Sequence, residues 1–300
     1  ELLETLVELS RSVTLLKGIS ICTTHYPEPQ LRLMGDIDLL VIDEHIRNTT
    51  ENILRDLGYS QKSPYPDEFY RTLHHSMPFF HPRRNIWIEI HKRLFPPSAT
   101  VACDKRIYSI ERIIEQTVPR QFRDSDCMQL SPELQLVYTC SHWAEEFNST
   151  RGILPIVDVL LLLTHADKEM NWDLILSWIP QTNACSHLYL MLSYLEHCDL
   201  ISIPEEVRKK LRFYSTNLNT VSQLVLWQLI DSFLIHGQPS GKILTQANVG
   251  IIWKSLLSQG SAIGNLMSIP WNLGLPPGDS RRFSPGFQLR RIRSALGLRR

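Results

Sequence analysis

The chain has 300 residues, enough for one large domain or two ordinary ones, and its apolar and charged fractions of 43% and 21% are typical of a globular protein. Its 31 basic and 31 acidic residues cancel, which excludes a general polyanion binder. The longest apolar run, residues 153–163, is broken by Pro155 and Asp158 and is too short to span a bilayer, so we expect no membrane insertion.

The six cysteines are widely scattered and form no CxxC pair. In a chain of this length the pattern indicates reduced thiols in the cytoplasm, and its spacing does not favour a zinc site. We therefore expect a cytoplasmic protein.

The first hundred residues alternate between helix-like and strand-like segments. Apolar spacing predicts an amphipathic helix over 1–12, a buried strand over 13–18, a helix from 19 and a strand over 35–42. A helix over 43–59 follows, with Asp43 as its N-terminal cap and Gly58 as its C-terminal cap. Two strands over 68–82 and 85–95, joined by the turn HPRRN, complete this part of the chain.

After FPPSAT the pattern becomes helical. Helical segments are predicted near 105–117, 132–146, 153–168, 172–179, 184–197, 204–215 and 219–236, followed by one more helix and a loose tail. These segments predict an α+β protein in which a small mixed sheet with flanking helices occupies residues 1–100, a helical domain occupies 101–280 and a basic tail occupies 281–300.

Two acids interrupt the apolar stretch RLMGDIDLLV. Side chains on a strand alternate between faces, so Asp36 and Asp38 point the same way, about 7 Å apart along the backbone. Such a pair repels unless a cation lies between its members, and Mg²⁺ takes one or two protein carboxylates together with substrate phosphates. Glu89 lies on another alternating strand and is the natural third carboxylate.

The stretch LLKGIS supplies the complementary half of a phosphate site. A strand that ends in glycine and turns into a helix presents backbone N–H groups to an anion. Gly18 would allow close approach, Ser20 adds a hydroxyl, and Lys17 and Arg32 could neutralise phosphate charge.

Together these motifs resemble an uncharacterised bacterial nucleotidyltransferase family of the DNA polymerase beta-like nucleotidyltransferase superfamily. The resemblance rests on LLKGISI, LRLMGDIDLLV, LGY and IEIHKRL, is close over residues 13–95, and extends loosely to His142 and Asp158 in the helical half. It implies that Asp36, Asp38 and Glu89 bind two Mg²⁺ ions, with Mn²⁺ as the alternative ion.

The same resemblance implies the reaction. Lys17, Gly18, Ser20 and Arg32 would hold a nucleoside triphosphate such as ATP, whose nucleotide monophosphate passes to an acceptor hydroxyl with release of pyrophosphate. Glu89 or a coordinated hydroxide would act as the base. The acceptor, whether a small molecule, a protein or RNA, is not identified by these residues.

Other interpretations of the sequence stay open. The chain could be a non-catalytic scaffold that keeps the fold and binds a partner, or a toxin-like enzyme that adds nucleotides to RNA ends. A glycosyltransferase D-x-D motif is disfavoured because too short a segment precedes Asp36, and an EF-hand is excluded by spacing.

Several further polar residues have both structural and functional interpretations. His91, His142 and Asp158 could contact substrate or simply hydrogen-bond within the fold, and His74, His75 and His81 could form a metal cluster. The tail contains seven arginines and no acid in RRFSPGFQLRRIRSALGLRR, and could bind a partner or nucleic acid.

Overall fold

A computed structural model of the chain describes residue 9 and residues 11–122, 125–150, 152–164, 169–215, 217–236 and 246–257. Most of the helix predicted over residues 1–12 and all of the basic tail lie outside these residues. The strands are β1 Thr14–Leu15, β2 Asp36–Leu40, β3 Ser60–Gln61, β4 Phe79–His81, β5 Ile86–His91, β6 Thr117–Phe122 and β7 Ser125–Leu130.

The helices of the first half are short and lie between the strands. They are α1 Lys17–Thr24, α2 Glu44–Asp56, α3 Asp67–Thr72, α4 Lys105–Tyr108 and α5 Ile110–Glu115, with 3-10 turns at Pro29–Leu31 and Thr100–Cys103. The later helices are α6 Pro132–Thr150, α7 Leu154–Thr164, α8 Trp172–Trp178, α9 Asn183–His197, α10 Glu205–Tyr214, α11 Thr220–His236 and α12 Gln246–Leu257.

The strands form one mixed sheet in the order β3-β4-β5-β2-β1-β7-β6. β2 runs parallel to β5 and antiparallel to β1, whereas β1 runs parallel to β7. The α+β class, with a mixed sheet and further helices after it, is confirmed.

The alternation predicted for β5 is present, and its apolar face forms the core. Ile88 and Ile90 are fully buried, and they share a cluster with Leu39, Phe79 and Leu54, a residue of α2. Apolar burial on this face fixes the register of β2 and β5, because a slip by one residue would move every apolar side chain to the wrong face.

Helix α2 begins and ends at the predicted caps. The Asp43 carboxylate accepts a hydrogen bond from the Ile46 N–H at 2.9 Å. Gly58 has a φ of +89°, and the N–H of Tyr59 reaches back to the Leu54 carbonyl at 3.0 Å. This left-handed turn favours glycine, so the glycine of the LGY motif is explained by the backbone conformation at the end of α2.

Several parts of the predicted secondary structure were wrong. The strand predicted over 13–18 is present only as β1, because Lys17 and Gly18 already belong to α1, and the helix predicted near 105–117 is divided into α4 and α5. The strand predicted over 68–82 is present only as β4, because the short helix α3 follows Pro66 and residues 73–78 take other conformations. The helical half contains the hairpin β6–β7. Pro119 sits in β6, which is tolerated because β6 is an edge strand of the sheet.

The contacts of the chain divide it into two units. One unit comprises Glu1–His142 with Leu154–Ile179, and the other comprises Trp143–Ile153 with Pro180–Arg300. The first unit contains the whole sheet, and in the second Trp253 stacks on Phe147 with ring centroids 3.7 Å apart. The domain boundary near residue 100 stays a prediction.

The helices predicted from 132 onward are confirmed in the second half, as is the additional helix, α12. Among the residues that the structure describes, none of the helices is long and apolar enough to cross a membrane.

Candidate active site

The three predicted carboxylates share one face of the sheet. In the parallel pairing of β2 with β5, Asp38 lies opposite Glu89 and Asp36 lies opposite Trp87. Since paired residues project to the same side, the face opposite the apolar core carries Asp36, Asp38 and Glu89. The alternation read from the sequence therefore brings these residues together.

Asp38 is the centre of the site and is 3% exposed. Its Oδ1 accepts hydrogen bonds from the Lys17 ammonium at 2.9 Å and lies 2.7 Å from His91 Nε2. Burial would raise the pKa of Asp38, but the Lys17 charge and the His91 hydrogen bond outweigh it and hold this pKa well below its usual range. Asp38 is therefore ionised at neutral pH.

Asp36 lies at the exposed end of β2. Its pKa is raised, first by partial desolvation and then by the negative charge of Asp38. Glu89 is half-buried, and its pKa is lowered because the bond to His91 and the charge of His75 outweigh its desolvation. The carboxylates of the site therefore repel one another, and a bound cation would stabilise them.

A cation would fit this set of donors. The ligand atoms of Asp38, Glu89 and His91 all lie within 4.8 Å of one another. Three carboxylates face one ammonium, so the formal charge is −2 with a neutral imidazole, and a divalent ion would balance it. Carboxylate oxygens suit Mg²⁺ and Mn²⁺, and the imidazole nitrogen shifts the preference towards Mn²⁺ or another transition metal.

The sequence left His91 as either a substrate contact or a hydrogen-bonding residue of the fold, and the structure places its ring beside Asp38 and Glu89. Its ring is fully buried, with Nε2 3.6 Å from Glu89 Oε2. Burial and the Lys17 charge would lower its pKa, but Asp38 and Glu89 raise it above the usual value. The alternation of IWIEIH already placed His91 on the Glu89 face.

Lys17 reaches Asp38 from an unusual backbone conformation. Its φ is +46°, a region that non-glycine residues rarely adopt, and it begins helix α1 directly after β1. The N–H of Leu16 donates to the Asp38 carbonyl at 3.0 Å. Burial would lower the pKa of Lys17, but the Asp38 carboxylate raises it well above the usual range, so the ammonium stays charged.

Gly18 is required for close packing within the protein. A Cβ at this position would lie 2.3 Å from Arg32 Nη1 and 2.6 Å from Arg32 Cζ. The Arg32 guanidinium therefore occupies the space beside Gly18 into which the sequence placed a phosphate.

Arg32 was predicted to neutralise phosphate, and Asp158 was predicted either to contact substrate or to hydrogen-bond within the fold; the two form one buried ion pair. Arg32 Nη2 donates to Asp158 Oδ2 at 2.8 Å and its Nε donates to Oδ1 at 3.0 Å. The side chains are 12% and 3% exposed, and the Tyr26 hydroxyl adds a donor at 2.9 Å. This pair joins the loop before β2 to helix α7.

Ser20 also packs inward. Its hydroxyl donates to Gln135 Oε1 at 3.2 Å, which ties α1 to helix α6. The first-turn amides of α1 are then the groups that this helix offers to an anion, since amides at a helix start have no partner in the helix.

The remaining histidines separate into two groups. The ring centroid of His74 lies 5.0 Å from that of His91 and 4.8 Å from that of His75. His81 instead packs edge-on against Tyr59, and it pairs with Ile86 on the apolar face of the sheet, opposite the carboxylates. The three histidines thus do not lie together as one cluster.

His142 lies close enough to the site for the charges of Lys17 and Asp38 to affect its pKa. Its pKa is lowered, first by complete burial and then by the Lys17 ammonium. The imidazole therefore stays neutral at physiological pH.

We expect Gly18→Ala to destabilise the protein, because the new Cβ forces the Arg32 guanidinium off Asp158. The expected loss is roughly 1–3 kcal/mol, the usual cost of overpacking. Gly35→Ala is the matched control, since a Cβ there meets nothing within 4 Å. Urea unfolding measures both variants, and equal midpoints would contradict the close approach.

One of the three comparisons with known proteins gave a match. A sequence model of a protein family described as "Uncharacterised nucleotidyltransferase" matches residues 1–198. The chain belongs to this family. Comparisons with curated proteins and with solved structures gave no match.

The matched region of this nucleotidyltransferase contains every predicted site residue, from Lys17 to Asp158. It also contains the whole sheet and helices α1 to α9. The carboxylate face and the buried Arg32–Asp158 pair thus both belong to the part of the chain that the family defines.

Proposed function

We propose that this nucleotidyltransferase transfers a nucleotide monophosphate from a nucleoside triphosphate to an acceptor hydroxyl and releases pyrophosphate. The observation that carries the proposal is the clustering of Asp38, Glu89 and His91 beside Lys17. Acidic ligands and a cation at one point suit a reaction in which anionic phosphate must be bound and attacked.

The residues around β2 supply complementary parts. The first-turn amides of α1 and the Lys17 ammonium would bind the triphosphate on the β1 side of β2. Lys17 has three N–H donors, of which one meets Asp38, so others are available to phosphate oxygens. Arg32 would contribute through its packing against Gly18, which keeps the α1 turn in place.

Asp36, Asp38 and Glu89 would hold Mg²⁺ or Mn²⁺, with His91 as a nitrogen donor. When bound, these ions would polarise the phosphate and neutralise charge that develops on the attacking and leaving oxygens. Lys17 keeps Asp38 ionised, and this preserves the capacity of Asp38 as a ligand.

The bond changes are those of an in-line displacement at the α-phosphorus. The acceptor oxygen forms a bond to the α-phosphorus. At the same time the bond between the α-phosphorus and the oxygen that bridges to the β-phosphate breaks, and pyrophosphate leaves. The acceptor proton passes to the Glu89 carboxylate, which has a lowered pKa and is ionised at neutral pH.

The test is incubation with each α-labelled nucleoside triphosphate and Mg²⁺ or Mn²⁺, with small molecules, proteins and RNA supplied in turn as acceptors. We expect transfer of label together with release of pyrophosphate, and loss of both on addition of a chelator. Failure to bind any triphosphate and to transfer label from all four would overturn the proposal and favour the scaffold.

A further inference from the structure

A pair of aromatic rings continues the carboxylate face of the sheet. Phe80 on β4 pairs with Trp87 on β5, and Trp87 pairs in turn with Asp36 on β2. The ring centroids of Phe80 and Trp87 are 4.7 Å apart with planes inclined by 38°, and both side chains are half-buried. Part of this aromatic surface thus faces solvent next to the acids.

A positive charge lies at the far edge of this pair. Lys62 extends β3, because its N–H donates to the Pro78 carbonyl at 3.0 Å, and its ammonium lies 5.0 Å from the Phe80 ring centroid. Such a contact holds a lysine charge near a ring face without neutralising it. The surface therefore combines flat π faces with a cation, and we call Phe80, Trp87 and Lys62 the aromatic platform.

The strand order decides which substrate the platform faces, and this step rests on the proposed function. β1 and the start of α1 flank β2 on one side, whereas β5 and β4 flank it on the other. In an in-line displacement the attacking and leaving oxygens lie on opposite sides of the phosphorus. With pyrophosphate on the α1 side, the acceptor hydroxyl approaches from the side of Glu89 and Trp87.

We propose that the aromatic platform is an acceptor subsite for a nucleotide, with the base stacked on Trp87 and Phe80 and a phosphate near the Lys62 ammonium. Stacking on aromatic side chains accepts any base, and a lysine adds attraction for the phosphate. An aminated sugar is itself a cation and would be repelled by the Lys62 ammonium.

The test is calorimetric binding of AMP, adenosine and ribose 5-phosphate to the full chain without triphosphate or metal. We expect Trp87→Leu to weaken AMP roughly five- to one-hundred-fold, the usual effect of losing one stacking partner. Trp87→Phe should restore most of the affinity, and Trp172→Leu, a half-buried tryptophan at the start of α8, is the matched control.

Lys62→Met should weaken the binding of AMP but leave the binding of adenosine unchanged. Ribose 5-phosphate should bind more weakly than AMP, and its affinity should be the same in wild type and Trp87→Leu. AMP affinity that is equal in Trp87→Leu and Trp172→Leu would overturn the subsite. If AMP bound in the triphosphate site instead, its affinity would not depend on Trp87, so the variants distinguish the triphosphate site from the aromatic platform.

A short oligoribonucleotide run in parallel distinguishes a free nucleotide from an RNA end, and dependence on Trp87 in either arm supports the subsite. Trp87-dependent binding without label transfer would support the subsite and reject the transferase reaction. Label transfer to acceptors without a base, at equal rates in wild type and Trp87→Leu, would reject the subsite and retain the reaction.

Discussion

Replacement of Asp38 by asparagine is expected to reduce nucleotidyl transfer roughly a thousand-fold or more, since several kcal/mol of charge stabilisation are lost at about 1.4 kcal/mol per tenfold in rate. Asp38 contacts both Lys17 and His91 and is a member of the candidate metal group. Asparagine keeps the shape and can still accept a hydrogen bond from Lys17, but it cannot supply an ionised ligand.

The measurement is the initial rate of label transfer with saturating triphosphate and Mg²⁺ or Mn²⁺, with circular dichroism to confirm that the variant folds. Asp56→Asn, which removes an exposed carboxylate at the end of α2, is the matched control and should retain the wild-type rate. Transfer that survives in Asp38→Asn would contradict the metal-dependent mechanism.

Replacement of Asp158 by asparagine is expected to lower the free energy of unfolding by about 3–5 kcal/mol, the cost of breaking a buried ion pair from one side. The Arg32 guanidinium would remain largely buried without its counter-charge, and the Tyr26 hydroxyl would lose an ionic acceptor. The effect is on stability, because Asp158 holds the loop before β2 to helix α7.

Urea or thermal unfolding measures this loss, and an exposed ion pair provides the control. The Arg112–Glu115 pair has a similar separation of 2.9 Å, but its side chains are 32% and 61% exposed, so Glu115→Gln should cost less than about 1 kcal/mol. Arg32→Met combined with Asp158→Leu should cost less than the sum of the single changes. Equal losses from Asp158→Asn and Glu115→Gln would contradict the burial of the first pair.

The sequence predicted the carboxylate face because its information is local. Alternation along β2 and β5 assigns each side chain to a face, and buried Ile88 and Ile90 lock that assignment. The caps of α2 were predictable for the same reason, since Asp43 and Gly58 act within a few residues of where they stand.

Contacts between distant segments left no comparable signal. Arg32 and Asp158 are 126 residues apart, and Ser20 and Gln135 are 115 apart. Each of these residues has a plausible local or functional explanation, and only the fold shows that they are partners. The hairpin β6–β7 escaped prediction because TVPRQF is an edge strand with a proline, without the apolar alternation of a central strand.

The pairing of β1 with β7 bears on how the protein is made. A nascent chain that ends near residue 100 has β1 at an open sheet edge and Arg32 without Asp158, although all three carboxylates have been synthesised. At about 5–20 residues per second the ribosome needs roughly 3–12 seconds more to deliver Asp158. An unpaired edge is a template for aggregation, so we expect growing chains to depend on chaperones during this interval.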